Sequence, residues 1–127
     1  MAPTGVPAAV GRFIEGRIES VEQLEVLLLL RAAPSTGWTA AQVARALVTQ
    51  PESAAHWLKK MAADGLLAVE GGSYRYAPPT PEVERTIDDL AESFAKYRVT
   101  VIGLIFSKPS ERVRLFSDAF RIRRRKD

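Results

Sequence analysis

Cysteine is absent from the 127 residues, which excludes a disulfide framework and any thiolate-bound metal. Histidine occurs once, as His56, too few for a histidine-built metal site. Long apolar runs are also missing. The longest, Val26 to Leu30, falls far short of the roughly 20 residues that span a bilayer. The opening stretch MAPTGVPAAVGRF has no basic segment ahead of a long apolar one. No secretory signal is therefore expected, and the cytoplasm is the default compartment. No GxxxxGK[ST] loop occurs, and Gly71-Gly72 reads as a turn. Neither enzymatic activity nor a cofactor is expected.

Apolar residues make up 46% of the chain, so material for a core is present. The net charge of +3 is unevenly spread. Residues 20–79 carry five bases and five acids, and residues 80–106 three bases and five acids. Residues 107–127 carry eight bases and three acids, so the basicity belongs to the tail.

Four stretches follow from the pattern. Residues 1–19 read as a flexible or loosely packed leader, in which Arg12 to Glu19 either form a short helical turn carrying Phe13 and Ile14 or pack loosely. Residues 20–79 read as one domain, 80–106 as one long helix, and 107–127 as a short helix with a basic end. Ser20 with Gln23, Thr39 with Gln42 and Thr49 with Glu52 each have capping-box spacing ahead of an apolar-periodic run. In the first helix Val21, Leu24, Leu27, Leu28 and Arg31 share one stripe, Val26, Leu29 and Leu30 widen it, and the helix needs neighbours on more than one side. In the third, which spans 51–64, Ala54, Leu58 and Met61 form a buried stripe, and Gly65 suits a left-handed cap. A hairpin over 66–77 follows, turning at Glu70-Gly71-Gly72-Ser73. Alternation puts Tyr74 and Tyr76 on one face and Arg75 on the other.

After Pro78-Pro79 comes a run in which Val83, Ile87, Leu90, Phe94, Tyr97, Val101 and Leu104 are spaced 4, 3, 4, 3, 4, 3. That is a heptad seam on a helix about 39 Å long at 1.5 Å per residue. One small domain cannot cover it, so a homodimer through this seam is expected.

The block from Thr39 to Ala77 resembles the winged helix-turn-helix transcriptional regulators of bacteria, of the MarR and PadR kinds. The resemblance rests on the element order, the Ala54/Leu58/Met61 stripe, the Asp64 to Leu67 exit and the glycine-containing wing. It covers about half the chain. The long helix after the wing resembles the dimerisation helix of such regulators. The implied architecture is mostly α, with a small β-hairpin wing. The implied function is regulation of transcription by a dimer bound to double-stranded DNA at an inverted repeat. The third helix would enter the major groove and the wing would lie on the backbone.

On that resemblance Thr49, Gln50, Ser53, His56, Trp57, Lys59 and Lys60 would meet DNA from the third helix, and Arg75 from the wing. Arg123, Arg124, Arg125 and Lys126 would add phosphate contacts. An effector could sit beside Phe94, Tyr97 and Ile102, although no polar set identifies one.

Other readings compete. Trp57 packs inward or contacts DNA, and Tyr74 and Tyr76 are sheet core or a ligand platform. The presumed recognition helix has no arginine, and the wing tip carries Glu70. A winged-helix adaptor that binds a protein partner fits those two departures.

Overall fold

The computed structural model describes residues 5–107. Among them are six helices and a two-stranded antiparallel sheet. In chain order the elements are α1 (Ala8–Arg17), α2 (Val21–Ala32), α3 (Ala40–Leu47), α4 (Pro51–Ala63), β1 (Leu67–Glu70), β2 (Ser73–Tyr76), α5 (Pro81–Lys96) and α6 (Arg98–Phe106). None of these helices is long and apolar enough to cross a membrane.

Local signals account for most of the boundaries. Ser20 Oγ accepts the Gln23 N–H at the start of α2. Thr39 and Gln42 form a reciprocal capping box on α3. Thr80 Oγ1 accepts the Val83 N–H at the start of α5, with Pro81 in the first turn. At the end of α4, Gly65 takes φ +84°, the Leu66 N–H donates to Met61 O and the Gly65 N–H to Ala62 O. Together these make a Schellman motif. The hairpin turns on Gly71 and Gly72, both at positive φ, as a two-residue primed turn requires.

The third expected capping box does not form. Gln50 is the N-cap of α4 and makes no side-chain cap bond. Thr49 instead donates its hydroxyl to Glu22 Oε2 on α2, at 2.9 Å. The Thr49 hydroxyl thus donates to a carboxylate distant in sequence and does not accept the N–H of its local capping partner.

The link before α3 also gains a role. Trp38 and Tyr74 exchange two backbone hydrogen bonds of 2.8 Å, so Trp38 adds a one-residue bridge beside β2.

Two expectations about helical segments are corrected. Residues 8–17 are not a loose leader but a helix. Val6, Val10, Ile14 and Ile18, at i, i+4 spacing, are all buried, and α1 packs against α5 and α6. The long helix over 80–106 is two helices, broken at Tyr97 (φ −130°, ψ 52°). No proline or glycine forces the break; packing does. It lets Val101 and Ile105 reach the core around α1, while the Tyr97 ring packs against Gly5, where an added Cβ would collide with it.

The core is continuous. α2 touches α3, α4 and β2, and its Leu24, Val26, Leu27 and Leu30 are fully buried. That meets the expectation that this helix has neighbours on more than one side. Ion pairs tie α2 to the C-terminal helices: Arg31 to Asp88 at 2.9 Å and Arg98 to Glu25 at 3.4 Å.

Candidate nucleic-acid interface

α4 buries Ala54, Leu58 and Met61 and turns Glu52, His56, Lys59 and Ala63 outward, at spacings of 4, 3 and 4. Its outer face therefore carries one acid, one imidazole and one ammonium. Gln50 is exposed at the N-terminus and Ser53 is half-buried. With no side-chain cap, the first turn keeps backbone N–H groups available to an anion.

Several of the residues expected to meet DNA are already engaged. Lys60 Nζ lies 3.1 Å from Asp64 Oδ2 and 3.3 Å from Glu19 Oε2. Burial works against its charge, but the two carboxylates outweigh it and hold its pKa above the usual lysine value. Lys60 is thus a tie between α4 and the α1–α2 junction. Arg75 sits 3.9 Å from Glu70, a contact across the hairpin that weakens its field. Thr49 is held by Glu22. Trp57 is half-buried against the core, its ring edge-on to His56 at 4.5 Å between centroids. Tyr76 is buried and Tyr74 half-buried, both packed into the core. Arg123, Arg124, Arg125 and Lys126 lie outside the described residues, as does the short helix expected before them.

Lys59 is exposed and makes no ion pair among the described residues. Arg45 shares that state on α3, where it lines a shallow groove with Thr36, Gly37, Trp38, Gln42 and Ala46. Arg45 is not among the residues that the resemblance assigns to DNA, which lie on α4, the hairpin and the tail. The signal was present, since Arg45 is a charged residue on the polar stripe of a strongly amphipathic helix.

The seam has another role than the one expected of it. Ile87, Leu90 and Val101 are fully buried and Phe94 nearly so, within one chain. Val83 and Leu104 are half-buried, and Tyr97 is 38% exposed. Beside Tyr97 lies a crevice of ≈ 150 Å³ lined by Gly5, Pro7, Asp89, Glu92, Ser93 and Lys96. That is smaller than the roughly 300–1,000 Å³ of ordinary ligand sites.

No protein-family model matches the chain, and no curated protein or solved structure is significantly similar to it.

Proposed function

We propose that the chain is a winged helix-turn-helix transcriptional regulator that binds double-stranded DNA as a homodimer. α4 enters the major groove and the β1–β2 hairpin lies along the backbone. The observation that carries this reading is the arrangement of α3, α4 and the hairpin. Two helices joined by a short turn are followed by a glycine-tipped hairpin, with Trp38 bridging to β2 as a third strand position. The second of those helices keeps Gln50, His56 and Lys59 exposed. A polar outer face on such a helix is what base and phosphate contact requires.

Charge shapes the mechanism. Residues 5–107 hold ten bases and twelve acids, so they cannot supply much phosphate neutralisation. The eight bases of residues 107–127 supply it, and Arg123, Arg124, Arg125 and Lys126 are the densest group.

One observation favours a second reading, a protein-binding adaptor. Lys60 and Arg75 are both paired with acids, which leaves Lys59 and Arg45 as the cations of α3 and α4 without a partner among the described residues.

The test is selection of bound duplexes from a random-sequence pool near physiological salt, using the intact protein. An enriched inverted repeat is the expected result. Lys59→Ala and His56→Ala should then weaken binding to that repeat. Replacing Arg123, Arg124, Arg125 and Lys126 with Gln should weaken binding to all sequences alike and flatten its salt dependence, by about 0.9 in slope per lost phosphate contact. No enriched sequence, from protein shown to be folded, would move the weight to the adaptor.

A further inference from the structure

We propose that the groove between α3 and the link ahead of it binds an extended, acidic segment of a partner protein as an added strand. The groove holds ≈ 390 Å³, with Gly37 and Trp38 on one wall and Gln42, Arg45 and Ala46 on the other. That volume falls within the roughly 300–1,000 Å³ of ordinary ligand sites. Three features of the walls define what fits.

The first is an open backbone edge. Trp38 engages Tyr74 through both its N–H and its C=O, at 2.8 Å each. Successive residues of an extended strand direct these groups to opposite sides. The N–H and C=O of Gly37 therefore point away from β2, and neither has a hydrogen-bond partner among the described residues. Gly37 is exposed, and a Cβ there would crowd Ser73 Cβ at 3.2 Å, on the hairpin side. Bare backbone is what the groove meets.

The second is charge. Arg45 is exposed without an ion pair among the described residues. Gln42 lends its Oε1 to the Thr39 N–H, which leaves its Nε2 free to donate. No acid lines the groove, and none occurs in the sequence from Val26 to Pro51. Glu70, paired with Ser73 across the hairpin, is faced by Arg75 at 3.9 Å. The third feature is an orphan donor. The Trp38 indole N–H is buried with no partner among the described residues, whereas buried donors are nearly always paired. An acceptor carried by a ligand at this wall completes it.

Together these features select a peptide. A DNA backbone offers acceptors only, so it cannot donate to Gly37 O or fill the apolar surface of Trp38 and Ala46. A peptide strand supplies N–H and C=O in register, and its side chains add specificity. One carboxylate meets Arg45, and an apolar side chain packs on the Trp38 ring. The inference goes beyond the regulator reading and does not rest on it.

The full-length protein is panned against phage-displayed random octapeptides. The expected consensus joins Asp or Glu to an apolar residue. A capped consensus peptide is then measured by fluorescence anisotropy. Arg45→Glu should weaken its binding at least about tenfold, because like charges then meet. Arg85→Glu, at an exposed position of α5, should leave binding unchanged. A peptide with Lys in place of its acids should bind the Arg45→Glu protein. Methylating the peptide amides one at a time should abolish binding at the one that donates to Gly37 O. In amide proton–nitrogen NMR spectra the Trp38 indole signal should move on titration and that of Trp57 should not, with Trp57→Phe assigning the two.

No enriched peptide would overturn the proposal, as would a peptide indifferent to Arg45→Glu or one bound fully in every methylated form. So would an Arg45→Glu protein impaired only toward duplex DNA, since the groove would then serve a phosphate. A peptide bound as expected by a protein that selects no DNA sequence would keep this inference and sink the regulator. A selected inverted repeat without peptide binding would do the reverse.

Discussion

Val48 holds a left-handed conformation, φ 55° and ψ 57°, with its side chain 90% exposed. A β-branched residue there costs roughly 1–2 kcal/mol. Little side-chain burial offsets that cost. The backbone imposes the geometry: the N–H groups of Val48 and Thr49 both reach Ala44 O as α3 ends. Val48→Gly is expected to stabilise the protein by about 1 kcal/mol, part of the relief being lost to the entropy of glycine. A lower urea midpoint for the variant would refute this. Tyr76 is buried, and its hydroxyl has no hydrogen-bond partner among the described residues. Burial first, and then the Asp88 carboxylate, push its pKa up to about 12. The folded state therefore holds the phenol proton more tightly than the unfolded chain does. The associated stability is fully present below pH 10 and is lost as pH rises toward 12. Tyr76→Phe should match or exceed the parent in stability at pH 7, because it removes a desolvated, unpaired hydroxyl. It should also unfold less steeply between pH 10 and 12, as followed by circular dichroism.

At the scale of elements, Gln23 joins α1 to α2. Its buried Oε1 accepts the Glu19 N–H at 2.7 Å, and its Nε2 donates to Arg17 O at 2.9 Å. Gln23→Leu strands both backbone groups and should cost about 2–3 kcal/mol in denaturant unfolding, whereas Gln42→Leu on the exposed α3 cap should cost under ~1 kcal/mol. Equal losses would remove the junction role. The same pair of residues shows how far local reading reaches. Ser20/Gln23 and Thr39/Gln42 have one spacing, and both start helices. Only the structure separates a buried junction from a surface cap. Thr49/Glu52 has that spacing too, yet Thr49 turns to Glu22, because a carboxylate from α2 lies within reach. The candidate interface divides likewise. His56 and Lys59 face outward as the helical period requires. Lys60, one position on, is drawn in by Glu19, a residue 41 positions earlier in the chain that no local window contains.

For the whole molecule the decisive feature is the pairing of α1 with α5 and α6. Leu90→Ala and Ile14→Ala each remove side-chain atoms from one shared core and should cost about 2–5 kcal/mol. Because that core belongs to one chain, the loss in unfolding midpoint should not depend on protein concentration. A midpoint that rises with concentration in the parent and not in Leu90→Ala would return the seam to a dimer interface. The caps at Ser20, Thr39 and Thr80, the turns, the Schellman glycine and the stripes of α2, α4 and α5 were determined by the sequence itself. Each depends on residues within a turn or two of one another, where hydrogen-bond geometry and helical period act directly. What covers each apolar stripe was decided only by the tertiary structure. Apolar burial has no direction and no memory of sequence distance. The seam of α5 could be met by another copy or by Val10 and Ile14 of the same chain, and only the fold that breaks the helix at Tyr97 brings α1 there.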